Sequence, residues 1–385
     1  MTTRVTTGTT GARTPRIAGV AQTAFGRHRE RTVESLAVEA GIAAIRDAGL
    51  DRPAVQALFC GNAYAGSLLG QRIGKEMGLD GLPVYNHENA CASGASALAH
   101  ACLAVRAGTF DTVLVIGVEQ LSALGGGLLP LGEDDPEIAA GLTMPAAYAM
   151  RTESYLSRFG GSVADVAQVA VKSRDNAARN PNAQFRDPVT VEDVLGSRLI
   201  ADPVTLLQMC PNADGAAAVV VTAAAGDRSV AVLSSVVTSG RFFQGARDMA
   251  WPDITLRAAA QAYGEAGVTA ADVDVAEVHD AAAIGEIIYY EALGLCERGE
   301  GLAFARAGRS ALAGATTVNA GGGLLSRGHP LGATGVVQVV ELVAQLRGEA
   351  GAMQVDRAEV AVAHCTGGGI WGVDNGACAM HVLAR

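Results

Sequence analysis

A helix that is apolar on nearly every side constrains the fold of this 385-residue chain more than any other feature. The residues after Cys91 read ASGASALAHACLAVR and are small or apolar at almost every position. Such a helix is stable only where protein covers all of its faces. The segment 332–346, GATGVVQVVELVAQL, has the same character. Each segment is followed by an apolar, strand-like run, so the pair predicts an internal duplication.

Cys91 is placed by this pattern in the first turn of the buried helix, after a polar, turn-prone segment at 86–89. The N-terminus of a helix carries unpaired N–H groups and the positive end of the helix dipole. This environment lowers the pKa of a thiol and favours the thiolate, which is the nucleophilic form. The local pattern therefore predicts a nucleophilic cysteine. The alternative is a buried structural cysteine, which is the commoner role of a free cysteine.

Apolar runs alternate with helical segments through most of the chain, which predicts a parallel or mixed sheet covered by helices. Between Glu119 and Met209 the alternation is broken by glycines, prolines and isolated helices. A long insertion of this kind inside an α/β unit is usually functional. The apolar runs predict strands at 17–21, 55–60, 110–118, 214–221, 230–237, 275–278 and 359–363. Helical spacing predicts helices at 32–48, 144–159, 163–176, 254–266, 283–293 and 333–346.

Length and composition exclude several classes of protein. The length predicts two or three domains. A net charge of −10 without a basic run argues against nucleic acid and anionic membranes as partners, and no apolar run of about 18 residues could span a bilayer. Seven scattered cysteines, an odd number, are typical of the reducing cytoplasm. Residues 1–15 lack the apolar core of a secretory signal and are expected to form a flexible tail.

Three further segments carry chemically reactive side chains. His329 lies in GHPLGATG, a glycine-rich turn before the second apolar helix, where a neutral imidazole can accept a proton from a thiol. Cys365 opens CTGGG directly after a predicted strand, where glycines expose the backbone N–H groups that form oxyanion holes. His279 and Asp280 follow another strand. Taken singly, each segment is more simply a turn or a packing element.

Neither a metal site nor a dinucleotide site is predicted. No CxxC or HxxxH spacing offers a set of ligands for zinc. The glycine clusters do not form GxGxxG between a strand and a helix.

Together, NACASG at 89–94, the HD pair at 279–280, GHPLGATG at 328–335 and CTGGG at 365–369 resemble the thiolases. The HD pair, in place of the more common Asn-Glu, is similar to the branch of sterol-carrier-protein-type thiolases. The resemblance covers the chain after its tail and implies an acetyl-CoA acetyltransferase or 3-ketoacyl-CoA thiolase. Such an enzyme makes or thiolytically cleaves 3-oxoacyl-CoA by Claisen chemistry. Coenzyme A (CoA) and acyl-CoA are its substrates, and no cofactor is permanently bound.

The resemblance implies a role for each matching residue. Cys91 takes the acyl group as a thioester, and His329 activates it and helps to bind the thioester oxygen of the second substrate. Cys365 is the acid/base that moves a proton at the α-carbon or protonates the leaving acetyl-CoA enolate. His279 completes the first oxyanion hole, and the N–H groups of Cys91 and Gly367 form the second. Claisen chemistry creates oxyanion and enolate charge, which preorganised donors of this kind stabilise.

The resemblance also implies a five-layer α-β-α-β-α fold with two duplicated halves and an inserted loop domain. The N-terminal half spans 16–120 and 210–226, the inserted CoA loop domain spans 121–209, and the C-terminal half spans 227–385. The two apolar helices fit the layer between the two sheets. The family further implies a homodimer or homotetramer, and it allows for an OB-fold partner that binds acyl-CoA.

This chain departs from the family pattern at two places. Ala282 follows the HD pair where the family usually has Phe, so an aromatic side chain is missing beside the acyl pocket or the oxyanion hole. We therefore expect room for a bulkier or branched acyl group. The insertion is short and not strongly basic, so Arg151, Arg158 and Lys172 are candidates for binding the CoA phosphates by charge alone.

The sequence leaves two other functions open. Some relatives in the HD branch are retro-aldolases of 3-hydroxyacyl-CoA, but aldol cleavage needs no acyl-enzyme, and the set Cys91, His329 and Cys365 favours thiolysis. A non-catalytic acyl-CoA-binding subunit would not need these side chains. A ketosynthase shares the fold, but the second cysteine, in CTGGG, argues against it.

Overall fold

The computed structural model describes residues 13–125, 127–130, 136–241, 248–368 and 376–385. Most of the predicted tail, and Gly369 of CTGGG, lie outside these residues. The described strands are β1 (Arg16–Gln22), β2 (Leu58–Gly61), β3 (Val84–His87), β4 (Thr112–Gln120), β5 (Leu199–Ala201), β6 (Val204–Thr205), β7 (Asp214–Thr222), β8 (Val230–Ser239), β9 (Val275–Glu277), β10 (Thr317–Val318), β11 (Val360–Gly367) and β12 (Ala377–Ala384).

The helices occur between the strands and at both ends of the insertion. They are α1 (Val33–Asp47), α2 (Leu69–Met77), α3 (Ser93–Arg106), α4 (Pro136–Ala139), α5 (Met144–Phe159), α6 (Val163–Ala177), α7 (Val191–Gly196), α8 (Asp253–Ala266), α9 (Ala283–Ala292), α10 (Gly301–Arg306), α11 (Gly323–Arg327) and α12 (Leu331–Arg347). No helix in these parts of the chain is long and apolar enough to cross a membrane.

Ten of the described strands form one continuous sheet in the order β10-β9-β11-β12-β8-β1-β7-β4-β2-β3. Outward from the central contact between β8 and β1, the two halves have equivalent strand orders. In each half the second strand, β7 or β12, is antiparallel to both of its neighbours, and the outer three strands are parallel. The halves join where Arg16 pairs with Ala231 and Ile17 pairs with Val230. The predicted internal duplication is therefore confirmed.

Helices lie on the outer faces of the two half-sheets and also between them, which gives five layers. The middle helices α3 and α12 share one apolar cluster with the inner faces of both half-sheets, through residues such as Leu98 and Val339. Outside, α1 and α2 cover the first half-sheet, and α8 and α9 cover the second. Along β4, Val113 and Val115 face the middle, whereas Leu114 faces α1. This arrangement confirms the predicted α-β-α-β-α architecture.

The starts of the two middle helices meet at glycines because their backbones approach closely. A Cβ atom on Gly94 would lie 2.3 Å from the carbonyl oxygen of Gly332. A Cβ atom on Gly335 would lie 2.5 Å from the Cβ of Ala95. Neither distance leaves room for a side chain. The small residues of the two segments therefore bring the N-terminal ends of α3 and α12 together, and with them the residues that precede each helix.

The insertion predicted between β4 and β7 is confirmed and packs on the second half of the protein. Its helices α5 and α6 share an apolar cluster with α9 and α11, through Tyr155, Val166 and Ile287 among others. Its two short strands, β5 and β6, pair with each other outside the main sheet. The insertion therefore covers the region where β9 ends and α9 begins.

Each strand and helix predicted above is present, with its ends shifted by a few residues. The sequence pattern does not predict α2, whose glycines Gly70 and Gly74 weaken the helical signal. The turn predicted at 86–89 is partly wrong, because Asn86 and His87 belong to β3, which pairs in parallel with β2. The polar composition of this strand hides it from a pattern search, since it lies at an edge of the sheet.

Candidate active site

Four side chains predicted from the sequence converge where the middle helices begin. Cys91 precedes α3, His329 precedes α12, His279 follows β9, and Cys365 lies in β11. The Cys91 sulfur and one ring nitrogen of each histidine lie within 4.8 Å of one another. The Cys365 sulfur lies 3.5 Å from Nδ1 of His279. The two imidazole rings meet edge to face, with their centroids 5.1 Å apart.

The turn that carries Cys91 is fixed by hydrogen bonds to Ser93. The Asn89 N–H donates to the Ser93 hydroxyl at 2.9 Å, and that hydroxyl donates to the Ala90 carbonyl at 2.6 Å. Ala90 has a φ of +48°, a left-handed conformation that is unusual for alanine. Since α3 begins at Ser93 with Ala92 as its N-cap, the prediction that Cys91 lies in the first helical turn is wrong: Cys91 lies directly before the N-cap.

The predicted lowering of the Cys91 pKa is also wrong for the protein without substrate. Burial raises the pKa of this thiol to about 12, and the charges of Glu119 and Glu88 act in the same direction. The N–H of Gly368 hydrogen-bonds to the thiol and lowers its pKa, but by less than burial raises it. Cys91 is therefore a neutral thiol at rest, and its nucleophilic form requires a base.

His329 is placed to be that base. Its Nδ1 lies 2.7 Å from the hydroxyl of Thr334, which itself donates to the carbonyl of Pro330 at 3.0 Å. Because the hydroxyl proton is used in that bond, the network assigns the imidazole proton to Nδ1 and leaves Nε2 as an acceptor. Burial lowers the pKa of His329 well below its usual value, helped by His279 and Arg327. The ring is therefore neutral, as predicted.

His279 and Cys365 form a second pair on the other side of Cys91. The Cys365 thiol donates to the Cys91 carbonyl at 3.3 Å. Burial raises the pKa of this thiol and lowers that of His279 to about 3, so both groups are neutral. Cys365 lies inside β11 rather than after the strand as predicted, because pairing with β12 continues through Gly367. A neutral thiol in this place can donate a proton and take it back.

Gly367 and Gly368 allow the end of β11 to approach the Cys91 turn. A Cβ atom on Gly367 would lie 2.0 Å from the carbonyl oxygen of Asn89. The backbone N–H that reaches the Cys91 thiol is that of Gly368. The role implied for Gly367, donation to an oxyanion, stays a prediction.

Glu119 is a residue of the site that the sequence pattern missed. It is buried, and its carboxylate accepts the N–H groups of Ala63 at 2.8 Å, Tyr64 at 3.0 Å and Gly332 at 3.2 Å. Burial raises its pKa to about 7 although these donors lower it. The carboxylate thereby ties the start of α12 to the loop after β2. A glutamate at the end of an apolar strand gave no sequence signal, because its partners are distant in the chain.

A second buried network, also missed, holds the end of β9. Arg327 forms ion pairs with Glu277, at 3.0 Å, and with Glu341 of α12. Asp280 accepts the N–H of Leu324 at 2.7 Å. All three acidic side chains are buried, as is Arg327, so their contacts lie inside the protein. These contacts fix the segment that carries His279.

A cavity of about 1430 Å³ opens onto Cys91, His279 and His329. Most of its wall comes from the insertion. Four arginines also line it: Arg27, Arg29, Arg174 and Arg198.

Arg151, Arg158 and Lys172, proposed from charge alone as phosphate ligands, do not line this cavity. Arg158 pairs with Asp248 at 2.8 Å and Lys172 pairs with Glu286 at 2.6 Å, while Arg151 is buried. Their charges are therefore used within the protein. The arginines before α1 were missed, because residues so distant from the insertion in sequence gave no signal.

The residues after the HD pair are small, as the sequence indicates, but only one of them reaches the cavity. Ala281 lines it, whereas Ala282 does not and is fully packed, bridging to Met209. The space next to His279 is therefore bounded by the side chain of Ala281 and by apolar residues of the insertion.

Two family models together match most of the chain. Residues 16–225 match the thiolase N-terminal domain, and residues 236–374 match the thiolase C-terminal domain-like family. The chain therefore belongs to the thiolase family. It is a CoA-dependent acyltransferase that makes or thiolytically cleaves 3-oxoacyl-CoA by Claisen chemistry, as predicted.

Three relatives agree with this assignment, two of them over almost their whole length. Benzoylsuccinyl-CoA thiolase subunit BbsB of Thauera aromatica is 40% identical over 92% of this chain and 94% of its own. Acetyl-CoA acetyltransferase of Methanothermobacter thermautotrophicus is 38% identical over 96% and 99%. Sterol carrier protein 2 of Homo sapiens is 33% identical over 91% of this chain and 69% of its own. The predicted branch of the family is therefore confirmed.

The fold is similar to that of a solved structure described as Ltp2-ChsH2(DUF35) aldolase. The TM-score is 0.83 at 24% identity, over 97% of this chain and 98% of that chain. At this level of identity the likeness supports the fold alone.

Proposed function

We propose that the enzyme works through an acyl thioester on Cys91, with His329 as its base and Cys365 as the second acid/base. The observation that carries this proposal is the convergence of Cys91, His279 and His329 within 4.8 Å, beside Cys365 and inside one cavity. A covalent intermediate replaces one difficult acyl transfer by two easier ones.

In thiolysis, the Cys91 sulfur attacks C3 of the 3-oxoacyl-CoA while its proton passes to Nε2 of His329. The C2–C3 bond then breaks, the acyl group stays on Cys91, and the departing acetyl-CoA enolate takes the proton of Cys365. Free CoA next attacks the thioester and gives its thiol proton to Cys365, while Cys91 recovers its proton from His329. Condensation is the same sequence in reverse.

Oxyanion charge in these steps requires donors that are already in place. His279 and His329 are proposed to bind the thioester oxygen of the second substrate, and the N–H groups of Cys91 and Gly367 to bind the oxygen of the acyl-enzyme. The N–H of Gly368 supports this by pointing at the Cys91 thiol.

No metal and no permanently bound cofactor are needed, since neutral side chains supply each proton transfer. Dialysis against a chelator should therefore leave the activity unchanged.

The four arginines of the cavity are proposed to bind the phosphates of CoA, with the insertion acting as the CoA loop domain. Arg27, Arg29 and Arg198 are exposed and form no ion pair with the described residues, while Arg174 stacks on Phe185 at 4.8 Å. Guanidinium groups match phosphate oxygens in charge and geometry. Substitution of Arg27 or Arg198 by Ala should raise the KM for CoA several-fold with little change in kcat.

A homodimer is proposed to form through β3, which lies at the edge of the sheet. Exposed strand edges pair readily with another strand. Leu103 of the adjacent α3 is 62% exposed, and Tyr85 of β3 is 36% exposed. Leu103→Asp should therefore shift the mass measured by light scattering toward that of a monomer.

A cytoplasmic location is proposed from the cysteines. The protein has seven free cysteines, which suit the cytoplasm, where thiols stay reduced.

A partner subunit is compatible with the names of similar proteins. BbsB is named as a subunit, and the similar aldolase structure contains ChsH2(DUF35). An OB-fold partner that binds acyl-CoA is therefore proposed as an addition to the homodimer. Purified protein that turns over acetoacetyl-CoA without any second chain would show that catalysis does not depend on it.

Product analysis separates thiolysis from retro-aldol cleavage. Thiolysis of a 3-oxoacyl-CoA needs free CoA and yields two acyl-CoA molecules. Retro-aldol cleavage of a 3-hydroxyacyl-CoA consumes no CoA and yields one acyl-CoA and a free aldehyde or ketone. We expect the first reaction, and we expect Cys91→Ala to abolish it. Cleavage of the 3-hydroxy compound alone, undiminished by Cys91→Ala, would contradict the proposal.

A further inference from the structure

Tyr148 is a buried phenol in the wall of the active-site cavity whose hydroxyl is not used by the protein. It lies in α5, is 4% exposed and lines the cavity. Its hydroxyl makes no hydrogen bond with any residue that the structure describes, although its carbonyl accepts the Thr152 hydroxyl at 2.9 Å. Buried tyrosine hydroxyls usually have a partner, and this one is not among the fully buried polar atoms that lack one, so it is open to the cavity, where a ligand can supply the partner.

The other buried tyrosines of the described chain show the contrast. Tyr155 donates to Glu291, Tyr290 donates to Glu286, and the Tyr289 hydroxyl lies 3.3 Å from that of Thr366. None of these three lines the cavity. The tyrosine without a partner is thus the one that faces the substrate space.

The ring of Tyr148 is held in place by its surroundings. The guanidinium carbon of Arg151, one turn further along α5, lies 5.9 Å from the ring centroid. On the side of α9, a Cβ atom on Gly285 would lie 3.6 Å from the ring, in ordinary contact. Alanines 281 to 283 belong to the same apolar cluster as Tyr148, so small side chains make room for the ring.

Tyr148 lines the same cavity as the reacting thiol of Cys91 and remains protonated. Burial is the main cause that raises the pKa of Tyr148 well above its usual value, and Tyr289, Cys210 and Cys91 act in the same direction. The phenol therefore keeps its proton at physiological pH and offers one O–H donor. The wall around it is apolar, with Met144, Pro145 and Met209 lining the cavity beside it. A single donor in an apolar wall orients a ligand and gives specificity.

We propose that Tyr148 is a specificity-determining residue that donates a hydrogen bond to an oxygen of the acyl chain, beyond the thioester and the 3-oxo group. The substrate class is then an oxygen-bearing acyl-CoA, with a ketone, hydroxyl or carboxylate on the chain, rather than a plain hydrocarbon chain. The thioester and 3-oxo oxygens have their own donors at His279, His329 and the Cys91 turn. This inference rests on the proposed acylation of Cys91.

The test measures acylation of Cys91 by pairs of acyl-CoA thioesters of equal length. In each pair, one chain carries a ketone at carbon 4, 5 or 6 and the other is a hydrocarbon. We expect wild type to prefer at least one keto compound by about tenfold in kcat/KM, the worth of one neutral hydrogen bond. Tyr148→Phe should abolish that preference by slowing the keto compound alone. Tyr155→Phe, on the same helix, should keep the preference.

Acetoacetyl-CoA serves as the reference substrate. If wild type cleaves acetoacetyl-CoA but shows no preference for any keto compound, or if the preference survives Tyr148→Phe, the inference about Tyr148 is overturned and the proposed function stands. If no thioester acylates Cys91, including acetoacetyl-CoA, the proposed function itself fails.

Discussion

The two middle helices begin side by side, but the start of α12 binds a carboxyl group, whereas a neutral thiol precedes the start of α3. At α12, the buried carboxylate of Glu119 accepts the N–H of Gly332. A helix N-terminus stabilises a negative charge of this kind. At α3, the thiol of Cys91 lies before the N-cap and is neutral. In both cases burial is the largest influence and raises the pKa, to about 7 for Glu119 and about 12 for Cys91.

A position at a helix N-terminus therefore does not by itself produce a thiolate. Glu119 has backbone donors on several sides and is still harder to ionise than a carboxyl in water. Cys91 has fewer donors, and the charge of Glu119 opposes its ionisation. The nucleophile must therefore be activated by proton transfer to His329 during the attack.

The largest expected effect comes from removing that proton acceptor. His329→Ala should lower kcat/KM for thiolysis of acetoacetyl-CoA by about a thousandfold, the usual contribution of a general base. His381→Gln, a change of a buried histidine in β12 that does not line the cavity, should keep most of the activity. A loss below tenfold in a folded His329→Ala protein would mean that Cys91 is already a thiolate at rest.

Glu119→Gln tests the other helix start through the pH dependence of stability. Burial raises the pKa of Glu119 from 4.5 to about 7, so the folded protein keeps a proton that the unfolded chain releases in this range. The stability contributed by this proton is complete below pH 4.5 and is lost as the pH rises through 7. The loss amounts to about 3 kcal/mol.

Glutamine does not titrate, so the free energy of unfolding of Glu119→Gln lacks this pH-dependent contribution. The free energy of unfolding of wild type, minus that of Glu119→Gln, should therefore fall by about 3 kcal/mol across that range. Denaturant unfolding at several pH values measures the difference. A difference that is constant with pH would show that Glu119 ionises as it does in water.

The close approach of the two helix starts predicts a smaller effect. Gly94→Ala should destabilise the protein by about 1 to 3 kcal/mol, because the new Cβ would meet the carbonyl of Gly332. Gly264→Ala, the same change in α8 where no atom lies within 4 Å, should instead stabilise it by about 0.5 to 1 kcal/mol. Equal effects in thermal unfolding would contradict the packing account.

The smallest effect is expected in the alkylation of Cys91 by iodoacetamide without substrate. Its rate should rise steadily with pH and reach no plateau below pH 9, because burial raises the pKa of the thiol to about 12. Peptide mass analysis assigns the modified cysteine. A plateau below pH 8 would show that the pKa of the Cys91 thiol is lowered, as the helix dipole predicts.

Apolar runs in the sequence marked the strands and the two middle helices, because burial on both faces leaves a local pattern. The five layers and the roles of Cys91, His329 and Cys365 were implied by the resemblance of the motifs to the thiolases, since each motif alone is more simply a turn or a packing element. Glu119 and Arg327 could not be found in this way. The function of a charged residue in an apolar segment is clear only when its partners are known. The partners of Arg327 are Glu277 and Glu341, which lie elsewhere in the chain.

The pKa of Cys91 shows the same limit. The sequence indicates a helix start, but burial depends on how α12, β11 and the insertion close around it. Arg27 and Tyr148 are similar cases, since each meets the cavity only after distant segments fold together.

The most direct test of the account is the intact mass of the protein after mixing with acetoacetyl-CoA in the absence of free CoA. We predict an acetyl-sized gain in wild type and in Cys102→Ala, which changes a buried thiol of α3 that does not line the cavity. Cys91→Ala should show no gain. An acetyl adduct that persists in Cys91→Ala would contradict the central claim, and so would its absence from wild type.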